Sequence, residues 1–189
     1  MSVTSMPSHG PATLTDLLRE PRRAELVAGR IALLPLDGYG PNVIAGRIFR
    51  SLADYADSTG VGFAYTGSMG FAVPLMSSGR QSFSPNASYY DGPLPTNRMG
   101  FVEGPPNFAA EVRSENDYGR SAEVAIAAKR ADYFAAGTLV VWDVDPVNGT
   151  VDCYRASAPD RPERVGAGQM ADAEPAVPGW RLAVDWLMA

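Results

Sequence analysis

Lys129 is the only lysine in a chain that carries fifteen arginines. An ammonium on a flexible stem can orient an attacking water, lose its proton when desolvated, or steady a developing negative charge. An arginine fork stays charged and does these jobs poorly. The segment SAEVAIAAKRADYFAAG predicts a helix from about Ser121 to Ala136, with Gly137 as its stop. Ala125, Ile126, Lys129 and Tyr133 recur at helical spacing, so the lysine shares a mostly apolar stripe and should point inward. The alternative is a solvated helix residue whose rarity reflects composition alone. Upstream, NFAAEVR alternates, with Phe108, Ala110 and Val112 on one side and Ala109, Glu111 and Arg113 on the other. Downstream, LVVWDVDP is the apolar, β-branched run of a buried central strand. A carboxylate and a lysine are therefore delivered by adjacent elements of a β-α-β crossover.

These residues resemble a known family. KRADYFAAGTLVVWDVDP, AEVRS, RRAELVAGRI and the closing GWRLAVDWL follow in the order and spacing of the Uma-two family of restriction endonucleases, a branch of the PD-(D/E)XK nuclease superfamily. The similarity runs from about Arg22 to the end. It implies an α/β, restriction-endonuclease-like fold, a mixed β-sheet flanked by helices in a single domain. It also implies magnesium-dependent hydrolysis of DNA phosphodiester bonds, with manganese as a substitute ion. The family's site resembles a Pro-Asp dipeptide on one strand, a glutamate on the next, and a lysine moved onto the following helix. Glu111 and Lys129 match the last two.

The first is not matched. In FSPNASYYD, Pro85 is followed by Asn86 where the family has an aspartate. Magnesium prefers hard anionic oxygens in near-octahedral geometry. A neutral amide at position 86 beside Glu111 should weaken both its binding and its ability to acidify bound water. Asp91 is five residues on, facing the other way and ~17 Å along an unbroken strand, and is discounted. Read without the resemblance, Asn86 is a turn or strand-end residue with local hydrogen bonds.

Glu25, in ELVAG, matches a family glutamate that resembles an auxiliary acid near the metal; otherwise it is a solvent-facing hairpin residue paired with Arg30. Arg113 stands two residues past Glu111 on the same face, where it could bind a phosphate or pair with Glu111 in the space of the missing metal.

Length and composition bound the rest. At 189 residues, nearly half of them hydrophobic, the chain suits one globular domain over residues 12–189, after a disordered tail over 1–11. Nothing approaches the ~20 apolar residues needed to cross a bilayer, and MSVTSMPSHGP is not a signal peptide, so the expectation is a cytoplasmic protein. A lone Cys153 and a lone His9 exclude an internal disulfide and a zinc cluster. TGSMG lacks a histidine partner outside the tail, and Gly38, Gly40 and Gly46 fit neither a dinucleotide nor a phosphate loop. The net charge of −5 opposes a polyanion, although Arg19, Arg22, Arg23 and Arg30, and again Arg47 and Arg50, cluster locally.

The elements that must position the site read as follows. A short helix over TLTDLLRE, capped by Thr13 or Thr15, precedes a hairpin turning at Ala28-Gly29. A long helix spans Pro41 to Ser58, and strands follow near 61–66, 70–74 and 82–90. A Gly/Pro-rich loop leads to the Glu111 strand, and a hairpin at Asn148-Gly149, a strand near Arg164 and a segment over Trp180 to Leu187 close the chain. The two long helices should flank the sheet, with the site at one sheet edge. Phe101, Trp180, Trp186, Leu187 and Met188 suggest a surface covered in a homodimer. Two functions stay open: an endonuclease weakened or inactivated at Asn86, and a nuclease-fold binding or assembly module.

Overall fold

The computed structural model describes residues 10–189, so the expected tail lies outside it except for Gly10 and Pro11, as does His9. Helix α1 (Leu14–Leu18) opens the described chain, and Thr13 caps it through a reciprocal pairing with Asp16. Strands β1 (Ala24–Val27) and β2 (Arg30–Leu33) form the expected hairpin. Ala28 and Gly29 both take positive φ, 50° and 68°, the geometry of a two-residue turn matched to strand twist.

Helix α2 (Tyr39–Thr59) starts two residues before the expected Pro41 and ends at Gly60, whose φ of 69° supplies the left-handed cap. Its buried stripe of Ile44, Ala45, Ile48, Leu52 and Ala56 repeats every three to four residues. Then come β3 (Phe63–Thr66), β4 (Phe71–Ala72), β5 (Ser82–Phe83), β6 (Ala87–Tyr90), β7 (Val102–Glu103) and β8 (Phe108–Val112). Helix α3 (Arg120–Ala136) joins β8 to β9 (Val140–Asp145), and β10 (Thr150–Arg155) and β11 (Ala158–Val165) continue the chain. β12 (Met170–Asp172), β13 (Arg181–Ala183) and α4 (Val184–Met188) end it.

The main sheet has six strands in the order β11-β10-β9-β8-β6-β3, parallel only between β8 and β9. Alternation along β8 sets the two layers. Phe108, Ala110 and Val112 pack with Ile48 and Leu52 of α2, whereas Ala109 packs with Tyr133 of α3. The helices therefore flank the sheet as expected. On the α2 side, Trp142 stacks on Trp180 with centroids 5.0 Å apart, and Phe108 meets both rings edge-on.

Four expectations change. The single strand read over 82–90 is two, β5 and β6, because Pro85 has no N–H for a ladder and Ser84 turns its own toward Glu25. Strands near 61–66 and 70–74 shorten, the first because Gly62 takes a φ of 70°. Trp180 and Leu187 are core residues, at 5% and 0% exposure, so they cannot belong to a dimer surface. Finally, β8 lies inside the sheet between β9 and β6, so Glu111 stands over central strands and not at an edge. Among the described residues, no helix is long and apolar enough to cross a membrane.

Candidate functional site

Sheet register brings the site together. Ala87 of β6 pairs with Ala110 of β8, which sets Asn86 opposite Glu111, and Glu111 in turn pairs with Asp143 of β9. All three line a cleft of about 280 Å³ between the sheet and the stretch of α3 from Ala125 to Tyr133. The α3 stripe read from sequence faces this cleft. Only Tyr133 is fully buried, Ile126 and Lys129 are partly covered, and Ala125 is open.

Lys129 and Glu111 meet: Nζ lies 2.8 Å from Glu111 Oε1 and 2.9 Å from Glu25 Oε1. Burial alone would pull the lysine pKa down, but the charges of Glu111 and Glu25 outweigh it and hold the ammonium above its ordinary value. A permanently cationic Lys129 can orient a water or steady an anion, and it cannot serve as a base near neutrality. Tyr133, one helical turn on, donates its hydroxyl to the same Glu111 oxygen at 2.6 Å. Burial, reinforced by the two glutamates, raises the tyrosine pKa well above normal, so it remains a donor. Its ring is fixed by stacking on Phe83 at 4.1 Å.

Glu25 is 3% exposed and does not pair with Arg30. Besides Lys129 it binds Arg80 at 2.5 Å and accepts the Ser84 backbone N–H at 2.9 Å. Burial pushes its carboxyl up, but Lys129 and Arg80 win and hold it below the ordinary value. Arg80 is itself shared with Asp132 of α3 at 2.9 Å. The hairpin, the β5 junction and α3 are thus tied together by one buried ionic network around the proposed lysine.

Arg113 does not turn to Glu111. It forms a bidentate pair with Asp143, both contacts at 2.7 Å, and also binds Glu123. Its donors are consumed there, so neither role expected of it, filling the place of the metal or binding a phosphate, is open to it.

Asn86 is in the cleft wall, 7% exposed, and its bonds are not local. Oδ1 accepts the backbone N–H of Val112 and Nδ2 donates to Asp37 Oδ2, each at 3.0 Å. Because the Val112 donor requires an oxygen, the amide's orientation is fixed by chemistry. This donor set does not fit magnesium. Position 86 offers a neutral oxygen already engaged by the backbone, and Glu111 Oε1 is held by Lys129 and Tyr133. Among the described residues, no group of three or more His, Cys, Asp or Glu side chains is placed to share a metal ion. Asp91, discounted from the sequence, is exposed at the far end of β6.

Sequence reasoning missed Asp37, Arg80, Asp143 and Arg130, all of which line the cleft. Asp143 carried a readable signal, a charge within the apolar strand run. Asp37 and Arg80 sit in connections and carried none.

Comparison with known proteins agrees with the architecture. No curated protein matches the chain. A crystal structure described as a "putative nuclease belonging to DUF820 from Anabaena variabilis" superposes with a TM-score of 0.73 at 18% identity, covering 94% of this chain and 98% of that one. At that identity the likeness shows the fold. The Uma2 family model, described as "putative restriction endonuclease", matches residues 11–185, and the chain belongs to that family.

Proposed function

We propose that this chain is a nuclease-fold DNA-binding protein whose magnesium-dependent phosphodiester hydrolysis is lost or strongly weakened at position 86. The observation that carries the reading is the Asn86 amide, held at one end by Val112 N–H and at the other by Asp37. A carboxylate at 86 could not donate to Asp37 and would repel it. Residue 86 and residue 37 therefore form a neutral-plus-anionic pair suited to each other and not to a divalent cation. Around it the family's remaining polar groups persist. Glu111 and Lys129 stay in contact, and Glu25, Arg80 and Tyr133 hold them in place. The fold and cleft are retained while one metal ligand is missing, which favours binding over turnover.

The deciding measurement is a calorimetric titration of magnesium and manganese into the wild type and Asn86→Asp, alongside DNA binding in chelator. The reading expects duplex DNA to bind without metal, no saturable metal uptake by the wild type, and measurable uptake by the variant. Metal-dependent cleavage by stringently purified wild-type protein, lost on Glu111→Ala, would overturn it. A two-fold dimer belongs to the same proposal, resting now on the partly exposed Phe101, Trp186 and Met188. Light scattering showing only a 20.1 kDa particle at micromolar concentration would remove it.

A further inference from the structure

The cleft carries five cationic side chains, Arg23, Arg80, Arg113, Lys129 and Arg130. Four are committed. Arg23 donates to the Ser84 carbonyl at 2.6 Å, and Arg80 joins Glu25 to Asp132. Arg113 clasps Asp143, and Lys129 joins Glu25 to Glu111. Arg130 differs. Among the described residues its nearest carboxylate oxygen is that of Asp143 at 4.0 Å, beyond hydrogen-bond reach, and Asp143 is already satisfied by the fork of Arg113.

Tyr154 keeps Arg130 in place without using its donors. The guanidinium carbon lies over the Tyr154 ring, 3.6 Å from its centroid, too close for the fork to stand edge-on without driving a nitrogen into the ring. Tyr154 belongs to β10 and pairs with Val141 of β9, so it is a rigid platform on the α3 side of the sheet. Stacking occupies the face of a guanidinium and leaves its in-plane N–H groups free along the edges. A pre-ordered planar fork with unspent donors, next to Lys129 on one helix and opening into a cleft, suits a tetrahedral oxyanion.

We propose that Arg130, held flat on Tyr154, is a phosphate-contacting residue of the cleft and takes one backbone phosphate of a DNA strand. The idea rests on the DNA-binding reading above for the source of the phosphate, and on the Arg130 geometry for its position.

The test measures binding of a fluorescently labelled DNA duplex in chelator over a range of salt concentrations. Arg130→Ala should weaken binding about tenfold and reduce the salt slope by about one phosphate contact. Arg130→Lys should recover part of the affinity, because charge remains but the fork is lost. Arg161→Ala removes an equal charge from exposed β11, outside the cleft, and should change neither quantity. Melting curves of each variant report on folding and supply a second reading. Inorganic phosphate, against chloride at matched ionic strength, should raise the midpoint of the wild type and not that of Arg130→Ala. If Arg130→Ala binds DNA as Arg161→Ala does, the inference is wrong while the DNA reading stands. If the wild type binds no DNA but shows the phosphate effect lost in Arg130→Ala, the DNA reading fails and the anion site remains. Absence of both effects overturns both.

Discussion

Asn86 and Asp37 share a hydrogen bond of 3.0 Å in which the amide must be the donor. Aspartate at position 86 would remove that donor and set two carboxylates face to face in a wall where residue 86 is 7% exposed. Asn86→Asp should therefore cost about 1–3 kcal/mol of stability in metal-free buffer. Magnesium should return part of it, so the variant's melting midpoint should rise with the ion while that of the wild type stays flat. Equal responses in the two proteins would mean that residue 86 has no bearing on metal affinity.

Acid sensitivity should follow Glu25. Its folded-state pKa lies below the ordinary value because Lys129 and Arg80 outweigh burial. A depressed carboxylate contributes stability above its unfolded pKa and loses that contribution as pH falls through the folded one. Denaturant midpoints of the wild type should drop from about pH 5 downwards, and Glu25→Gln should flatten that limb. At neutral pH the same variant should be weaker by about 3–5 kcal/mol, since it leaves Arg80 and Lys129 short of a shared buried partner. An unchanged acid limb in Glu25→Gln would assign the sensitivity to other groups.

Tyr133 allows its two contacts to be separated. Tyr133→Phe keeps the stack on Phe83 and loses only the bond to Glu111, and should cost about 1.5–3 kcal/mol because the acceptor is charged. Tyr133→Ala loses both and should cost about 3–5 kcal/mol. Urea unfolding of the pair reads the difference; a Tyr133→Phe variant as stable as the wild type would show that the hydroxyl contributes nothing, and equal losses in the two variants would show that the stack contributes nothing.

How much of this could be read from residues alone follows from where each group resides. Glu111 and Lys129 lie in periodic segments, a strand with period two and a helix with period 3.6, so their faces and the adjacency of their elements followed from spacing, while their sharing of one site followed from the family resemblance. The flanking of the sheet by α2 and α3 was legible for the same reason. The partners of those residues were not. Arg80 sits in a tight connection, fixed by hydrogen bonds from Arg80 N–H to the Ser78 hydroxyl and from Gln81 N–H to the Leu26 carbonyl, and local pattern says nothing of a side chain that reaches 55 residues back to Glu25. Arg113 was misjudged because same-face neighbours on one strand suggested Glu111, whereas cross-strand register put Asp143 within its fork. Trp180 and Leu187 were misread as surface because Trp180 lies in the turn just before the three-residue β13 and Leu187 in the five-residue α4, stretches too short for a period to show the buried side.

Arg113 gives a prediction on stability independent of any metal. Arg113→Ala leaves Asp143, 5% exposed, without its bidentate partner and with only Arg130, 4.0 Å away, nearby, and should cost about 3–5 kcal/mol. Arg113→Lys should restore only part, because an ammonium cannot reproduce two parallel contacts at 2.7 Å. Full rescue by lysine would show that charge alone matters there.

The strongest demand on the proposed reading comes from restoring activity. In Asn86→Asp the chain gains a second carboxylate, just before β6, beside that of Glu111 on β8, which Lys129 already approaches to 2.8 Å. If the remaining groups suffice, this variant should nick supercoiled plasmid slowly in magnesium or manganese, where the wild type does not. Lys129→Ala in that background should abolish nicking and leave metal uptake largely intact, because the ammonium is not a ligand and works on water or on developing charge. Glu111→Ala in the same background should abolish both uptake and nicking. The two controls separate a metal ligand from a water-orienting group, with calorimetry reading the first and plasmid conversion the second. Nicking that survives Lys129→Ala would remove the lysine from the site even if the metal binds as expected.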